Sequence, residues 1–140
     1  MKKSLIVFMT AAMVCGLSVS CKPANNEEPK EENPLAGTLW AEDDSAPTYV
    51  EFTGENTVSL WGGYKPRCNG TYYIVPGFED AINFSLRGSI YYESGTEWVY
   101  VFTNGSFTNN TLRINYYEEY YDEDNVFHRT QNHTLTLYKR

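Results

Sequence analysis

Between Tyr49 and Tyr138 apolar and polar residues alternate with period two in one short run after another. In Tyr49-Val50-Glu51-Phe52-Thr53, Val50 and Phe52 share one face and Glu51 takes the other. The same alternation recurs in Thr57-Val58-Ser59-Leu60-Trp61, Ile82-Asn83-Phe84-Ser85-Leu86, Leu112-Arg113-Ile114-Asn115-Tyr116 and Thr134-Leu135-Thr136-Leu137-Tyr138. Period two with one wet face predicts antiparallel strands around a core. Val50, Phe52, Leu60, Ile82, Phe84, Leu112 and Ile114 are the inward set. One run departs from the rule: Trp98-Val99-Tyr100-Val101-Phe102 is apolar on both faces, so its outer face is either covered or a binding surface.

Turn chemistry separates these runs at about ten-residue intervals: Gly54-Glu55-Asn56, Gly62-Gly63-Tyr64-Lys65-Pro66, Pro76-Gly77, Ser94-Gly95, Asn104-Gly105 and Asn109-Asn110. Short links make sequential strands neighbours. No window carries a capped period of three to four, so at most one helical turn is expected. The predicted fold is all-β: an up-and-down antiparallel barrel of about seven to eight strands, because closure removes the exposed edges of a meander. A two-sheet β-sandwich is the alternative.

The first 34 residues follow a different logic. Lys2 and Lys3 precede an apolar stretch from Leu5 to Leu17, about 13 residues, where a bilayer span needs roughly 20. Residues 1–20 therefore read as a signal peptide. Leu17-Ser18-Val19-Ser20-Cys21 resembles the lipobox of bacterial lipoproteins. The resemblance implies cleavage before Cys21, a diacylglyceryl thioether on its sulfur and a further acyl chain on its new amino group; Cys15, after the branched Val14, is the weaker candidate. Residues 21–34 are then a lipidated cysteine and an acidic tether whose Pro, Asn, Glu and Lys cannot offset chain entropy by burial. Thirteen such residues reach roughly 40 Å fully extended. Glu27, Glu28, Glu31 and Glu32 look like the acidic export signal that some gut-dwelling Gram-negative bacteria place after the lipidated cysteine; the alternative is a solvated spacer. The localisation expected is the cell envelope, lipid-anchored at the outer membrane.

Cleavage would remove two lysines and no acid, taking the net charge from −7 to −9. Such a balance excludes nucleic acid as a partner and leaves the lipid to do the anchoring. With Cys15 discarded and Cys21 lipidated, Cys68 is alone, so the mature chain forms no internal disulfide. Residues 35–140, about 106 in all, suffice for one domain with a modest core.

Leu35-Ala36-Gly37-Thr38-Leu39-Trp40, Phe52-Thr53, Gly70-Thr71-Tyr72 and Leu135-Thr136-Leu137-Tyr138-Lys139-Arg140 resemble the lipocalin-like lipoproteins of gut anaerobic Gram-negative bacteria. Lipocalins carry Gly-x-Trp in the first strand, and this chain has Gly37-x-x-Trp40, one residue longer. The resemblance implies a barrel that takes a small apolar or amphipathic ligand in its mouth. Phe52, Leu60 and Phe84 within, and Trp98 and Tyr100 nearer the rim, are the ligand-binding candidates. A surface protein that binds glycan or inhibits an enzyme is the alternative, since aromatics beside Asn and Asp suit sugar rings as well.

Catalytic signals are weak. His128 and His133 are five apart, which on an uninterrupted strand sets them on opposite faces. Cys68 beside Arg67 has no Cys-x-x-Cys partner and reads as a half-buried residue at a strand start. The acids from Glu118 to Asp124 lack the glycine and distal glutamate of a calcium loop, and Asp122 to Asn125 reads as a hairpin cap. Glu79 and Asp80, adjacent on an extended chain, point apart and cannot act as a glycosidase pair. No nucleophile elbow, phosphate loop or zinc motif occurs. The reading is a non-enzyme with no catalytic residues, no metal and no cofactor. Asp44-Ser45-Ala46 resembles an O-glycosylation acceptor of the same bacterial group, which implies Ser45 as the attachment point.

Overall fold

A computed structural model describes residues 32–140; the expected signal peptide, Cys21 and the expected tether up to Glu31 lie outside them. Among the described residues there is no helix, and eight strands follow one another: β1 Leu39–Ala41, β2 Thr48–Phe52, β3 Thr57–Gly62, β4 Lys65–Ile74, β5 Ala81–Tyr91, β6 Glu97–Phe107, β7 Thr111–Tyr121 and β8 Phe127–Lys139. Each pairs antiparallel with the next, and β8 returns to β1, closing an up-and-down barrel. The alternation read from the sequence sets the inside: Val50, Phe52, Leu60, Ile82, Phe84, Leu112 and Ile114 are all buried in one cluster. Polar residues take the outer face at Glu51, Ser85, Arg113 and Asn115, the reverse of the pattern that faces lipid in a membrane barrel. The compact unit Glu32–Arg140 contains this entire core.

One end of the barrel is shut. The chain enters through a turn at 34–37 that pushes Leu35 into the floor, 1% exposed, and Asn33 staples it there. The Asn33 side-chain amide donates to the carbonyl of Glu55 (2.7 Å) and to the Tyr72 hydroxyl (2.9 Å), while its oxygen accepts from the Leu35 amide. Trp40 lies in this lower core with its indole N–H on Thr38 Oγ1 at 2.8 Å. The longer Gly37-x-x-Trp40 spacing is accommodated because Gly37 adopts a left-handed φ of 73° and its amide donates to the Phe52 carbonyl, setting β1 against β2.

Three expectations are corrected. Asn104-Gly105 is no turn but lies inside β6, where a Cβ on Gly105 would sit 2.1 Å from the Arg113 carbonyl oxygen of β7. The glycine serves close approach of two strands, and an Asn-Gly pair cannot reveal that by itself. The hairpin between β3 and β4 is shorter than Gly62 to Pro66: Gly63 and Tyr64, at φ 58° and 63°, make a two-residue turn of the primed type, and Lys65 and Pro66 belong to β4. Cys68 stands in the middle of β4, fully buried, rather than half-buried at a strand start.

Candidate functional site

Strand length is unequal around the barrel. β1, β2 and β3 have 3, 5 and 6 residues, whereas β5, β6 and β7 have 11 each and β8 has 13. β8 meets β1 only at Tyr138 and Lys139. The far halves of β5 to β8 therefore rise as a wall beyond the short strands, at the end opposite the Leu35 floor.

Register places the wall's inner face in rows. Ile90, Trp98, Tyr120 and His128 are successive cross-strand partners from β5 to β8 and form the outermost row. Below it lie Gly88, Tyr100 and Glu118, then Leu86, Phe102, Tyr116 and His133. Rings meet along these rows: Trp98 and Tyr120 at 5.2 Å and Tyr120 and His128 at 5.7 Å are tilted, while Phe102 and Tyr116 at 5.2 Å and Tyr116 and His133 at 5.1 Å are stacked. Phe102 is enclosed, whereas Trp98, Tyr120 and His128 remain partly or largely open to solvent.

Both histidines thus share the inner face, against the expectation from their spacing. Between Tyr117↔Asn132 and Glu119↔Arg129, β8 advances three residues while β7 advances two. This bulge shifts the alternation by one position and turns His128 inward. Each imidazole has a carboxylate partner: His128 Nε2 lies 2.8 Å from Asp122 and His133 Nε2 lies 3.7 Å from Glu118.

The opposite lip is polar. Lys65 Nζ donates to Thr48 Oγ1 at 3.2 Å and sits 5.6 Å from the centre of the Tyr116 ring. Thr48 is wholly buried, and its amide donates to the Glu42 carboxylate at 3.0 Å. Burial, followed by the charges of Glu118 and Glu42, pushes the Tyr116 hydroxyl up to about 12. Tyr100 is raised for the same leading reason, burial, with Glu118 next. Neutral phenols, two carboxylates, a lysine and open aromatic faces converge on one rim.

The five residues expected to bind ligand divide. Phe52, Leu60 and Phe84 are core packing, with the Phe52 and Phe84 rings 6.4 Å apart and Tyr72 edge-on to Phe52 at 4.6 Å. Trp98 and Tyr100 stand in the wall. The residues that complete the rim, Lys65, Thr48, Glu118 and Tyr120, were not singled out, because which of Tyr116, Tyr117, Tyr120 and Tyr121 turns inward depends on register. Ser45 is exposed in the loop joining β1 and β2, its amide and hydroxyl both donating to Asp44. Among the described residues no three His, Cys, Asp or Glu side chains gather to hold a metal.

No family model, curated protein or solved structure matches this chain. The rim and the barrel that positions it are accordingly read from their own geometry. Cys68 is a poor nucleophile there, its thiol raised to about 11 by burial.

The apolar outer face of β6 is covered. Val99 is 1% exposed although it points away from the core cluster. Arg87 of β5, partner of Val101, reaches diagonally across β6 to Glu119 of β7, partner of Val99, at 3.3 Å. Tyr121 adds its hydroxyl to the same carboxylate. The arginine stem and the tyrosine ring roof the valines, which accounts for the run of five apolar residues.

Proposed function

We propose that this is a lipid-anchored envelope protein of lipocalin-like architecture, whose non-catalytic domain takes a small amphipathic ligand at the rim. The observation that carries the reading is the row Ile90, Trp98, Tyr120 and His128, left partly open above Tyr116, whose ring Lys65 approaches to 5.6 Å. Large apolar faces with a few convergent polar groups are what small-molecule sites share. Below the rim, Phe52, Tyr72, Phe84 and Phe102 fill the interior, as expected for a barrel of eight strands. The ligand therefore rests on the rim and not in a deep calyx.

Residues 22–140 produced in a bacterium and examined by native mass spectrometry test this. The expected result is a reproducible small-molecule adduct that Trp98→Ala and Tyr120→Ala each weaken at least about tenfold, as loss of a buried aromatic contact does, without lowering the melting temperature. A bare mass, or an adduct indifferent to both substitutions, counts against the rim.

A further inference from the structure

A second concavity lies on the outer face of the barrel, a groove of about 320 Å³ over β6, β7 and β8. Its floor is a line of cross-strand partners: Asn104 of β6, Asn115 of β7 and Thr134 of β8. The line continues through Asn83 of β5 to Tyr73 of β4. Thr103, Tyr117 and Asn132 form its sides.

These polar groups are linked in one direction. The Thr134 hydroxyl donates to Asn115 Oδ1 at 2.8 Å, and Asn115 Nδ2 donates to Asn104 Oδ1 at 2.7 Å. Such a relay polarises its last member, so the Asn104 amide hydrogens become stronger donors. Among the described residues, nothing accepts from Asn104 Nδ2, and the Asn132 amide has no partner. On the other limb Asn83 Nδ2 donates to the Tyr73 hydroxyl at 2.8 Å, with Tyr73 57% exposed.

Bulges make the hollow. Phe102 pairs with Tyr116 and Asn104 with Asn115, so Thr103 is the extra residue of β6 and drops its hydroxyl onto the Asn115 carbonyl at 3.2 Å. A second shift, in β8, follows beside Tyr117. Bulged strands bend and re-aim the side chains next to them.

We propose that this groove binds a neutral, hydroxyl-rich ligand, an oligosaccharide laid across the strands. Among the described residues no Asp, Glu, Lys or Arg lines it, on a chain whose net charge is −7. A cation would find no carboxylate, and a phosphate no counter-charge. Of the lining residues, His133 turns its ring inward to Tyr116 and Glu118. A fatty chain would strand the free amides without partners. A planar amide presents donor and acceptor side by side and matches two neighbouring hydroxyls of a sugar. The half-buried Tyr117 ring, stacked on no other ring, offers a face for the sugar's C–H side. Five strands at about 4.8 Å spacing make a row of roughly 19 Å, the reach of a short chain of sugar units.

Residues 22–140 labelled for side-chain amide NMR, titrated at millimolar concentration with maltohexaose, cellohexaose, mannohexaose and xylohexaose, test the groove. At least one saccharide should give saturable shifts at Asn104, Asn115 and Asn132. Asn104→Ala and Tyr117→Ala, both on the outer surface, should each weaken it about tenfold, the loss of one good contact, with unchanged melting temperature. Trp98→Ala should leave it intact, which separates this groove from the rim. Silence with all four saccharides overturns the proposal, as do shifts that survive both groove substitutions or vanish with Trp98→Ala.

Discussion

Burial raises the thiol of Cys68 from 9.0 to about 11 and, as the largest cause, the phenol of Tyr116 from 10.0 to about 12, so both stay uncharged into alkaline solution. The sign of the consequence follows from proton counting. Above pH 9 the unfolded chain loses these protons before the folded one does, so it binds fewer protons and stability falls as pH rises. Their contribution is complete below pH 9 and is lost between about pH 9 and 12. Urea titrations at pH 7, 9 and 10.5 should show the unfolding midpoint declining only in the last interval. Cys68→Val should delay the onset toward pH 10; a decline identical to that of the unaltered chain would refute the assignment. The same burial predicts that iodoacetamide leaves Cys68 unmodified in the folded domain at pH 8 and labels it in urea, read by intact mass. That Cys68 is alone could be counted from the sequence, but its depth could not, because Arg67 and Asn69 beside it are polar and exposed.

At the scale of the elements, β6 and its neighbours carry most of what the alternation rule missed. Gly105 sits where the β7 backbone comes too close for any side chain, so Gly105→Ala should cost about 1–3 kcal/mol by overpacking. Thermal denaturation measures it, and an unchanged midpoint would mean that the strands can part freely. The tip between β7 and β8 depends instead on Asp122. Its carboxylate accepts from the amides of Asp124 and Val126 and from His128, and the His128 bond first, then the Val126 amide, holds its pKa below the ordinary 3.8. A depressed carboxylate stabilises above its unfolded value and loses that contribution as pH falls through the folded one. The protection factors of the Asp124 and Val126 amides should therefore fall as the solution is acidified below pH 4, and at pH 7 in Asp122→Ala, while the floor amides around Leu35 and Phe52 stay protected. Uniform acceleration across the barrel would show that the tip and the core open together.

For the whole molecule, closure at the floor and unequal strand length divide the labour. Leu35, Asn33 and Trp40 seal the end where the chain enters, and the tall strands β5 to β8 hold the rim at the other end. In cells that lipidate proteins, Cys21→Ser should move the protein from the membrane pellet to the soluble fraction, detected by blotting both. A pelleted variant would mean that something other than the thioether anchors it, since three acyl chains dominate membrane affinity at about 0.8 kcal/mol per buried methylene.

Period-two alternation marked β2, β3, β5, β7 and β8 and their inner faces, because burial on one side of a pleated chain leaves a mark at every second residue, and the short links set the up-and-down order. It determined Val50, Phe52, Leu60, Ile82, Phe84, Leu112 and Ile114 as core for the same reason. Asn83, Asn104, Asn115 and Asn132 stand far apart in the chain, and nothing in their spacing joins them. Register alone made them neighbours. Which tyrosines turn inward, why both histidines share a face, and that Asn104-Gly105 runs straight through a strand were likewise decided by bulges in β6 and β8. A bulge adds one residue without changing composition, so its effect on direction appears only when the partner strand is in place.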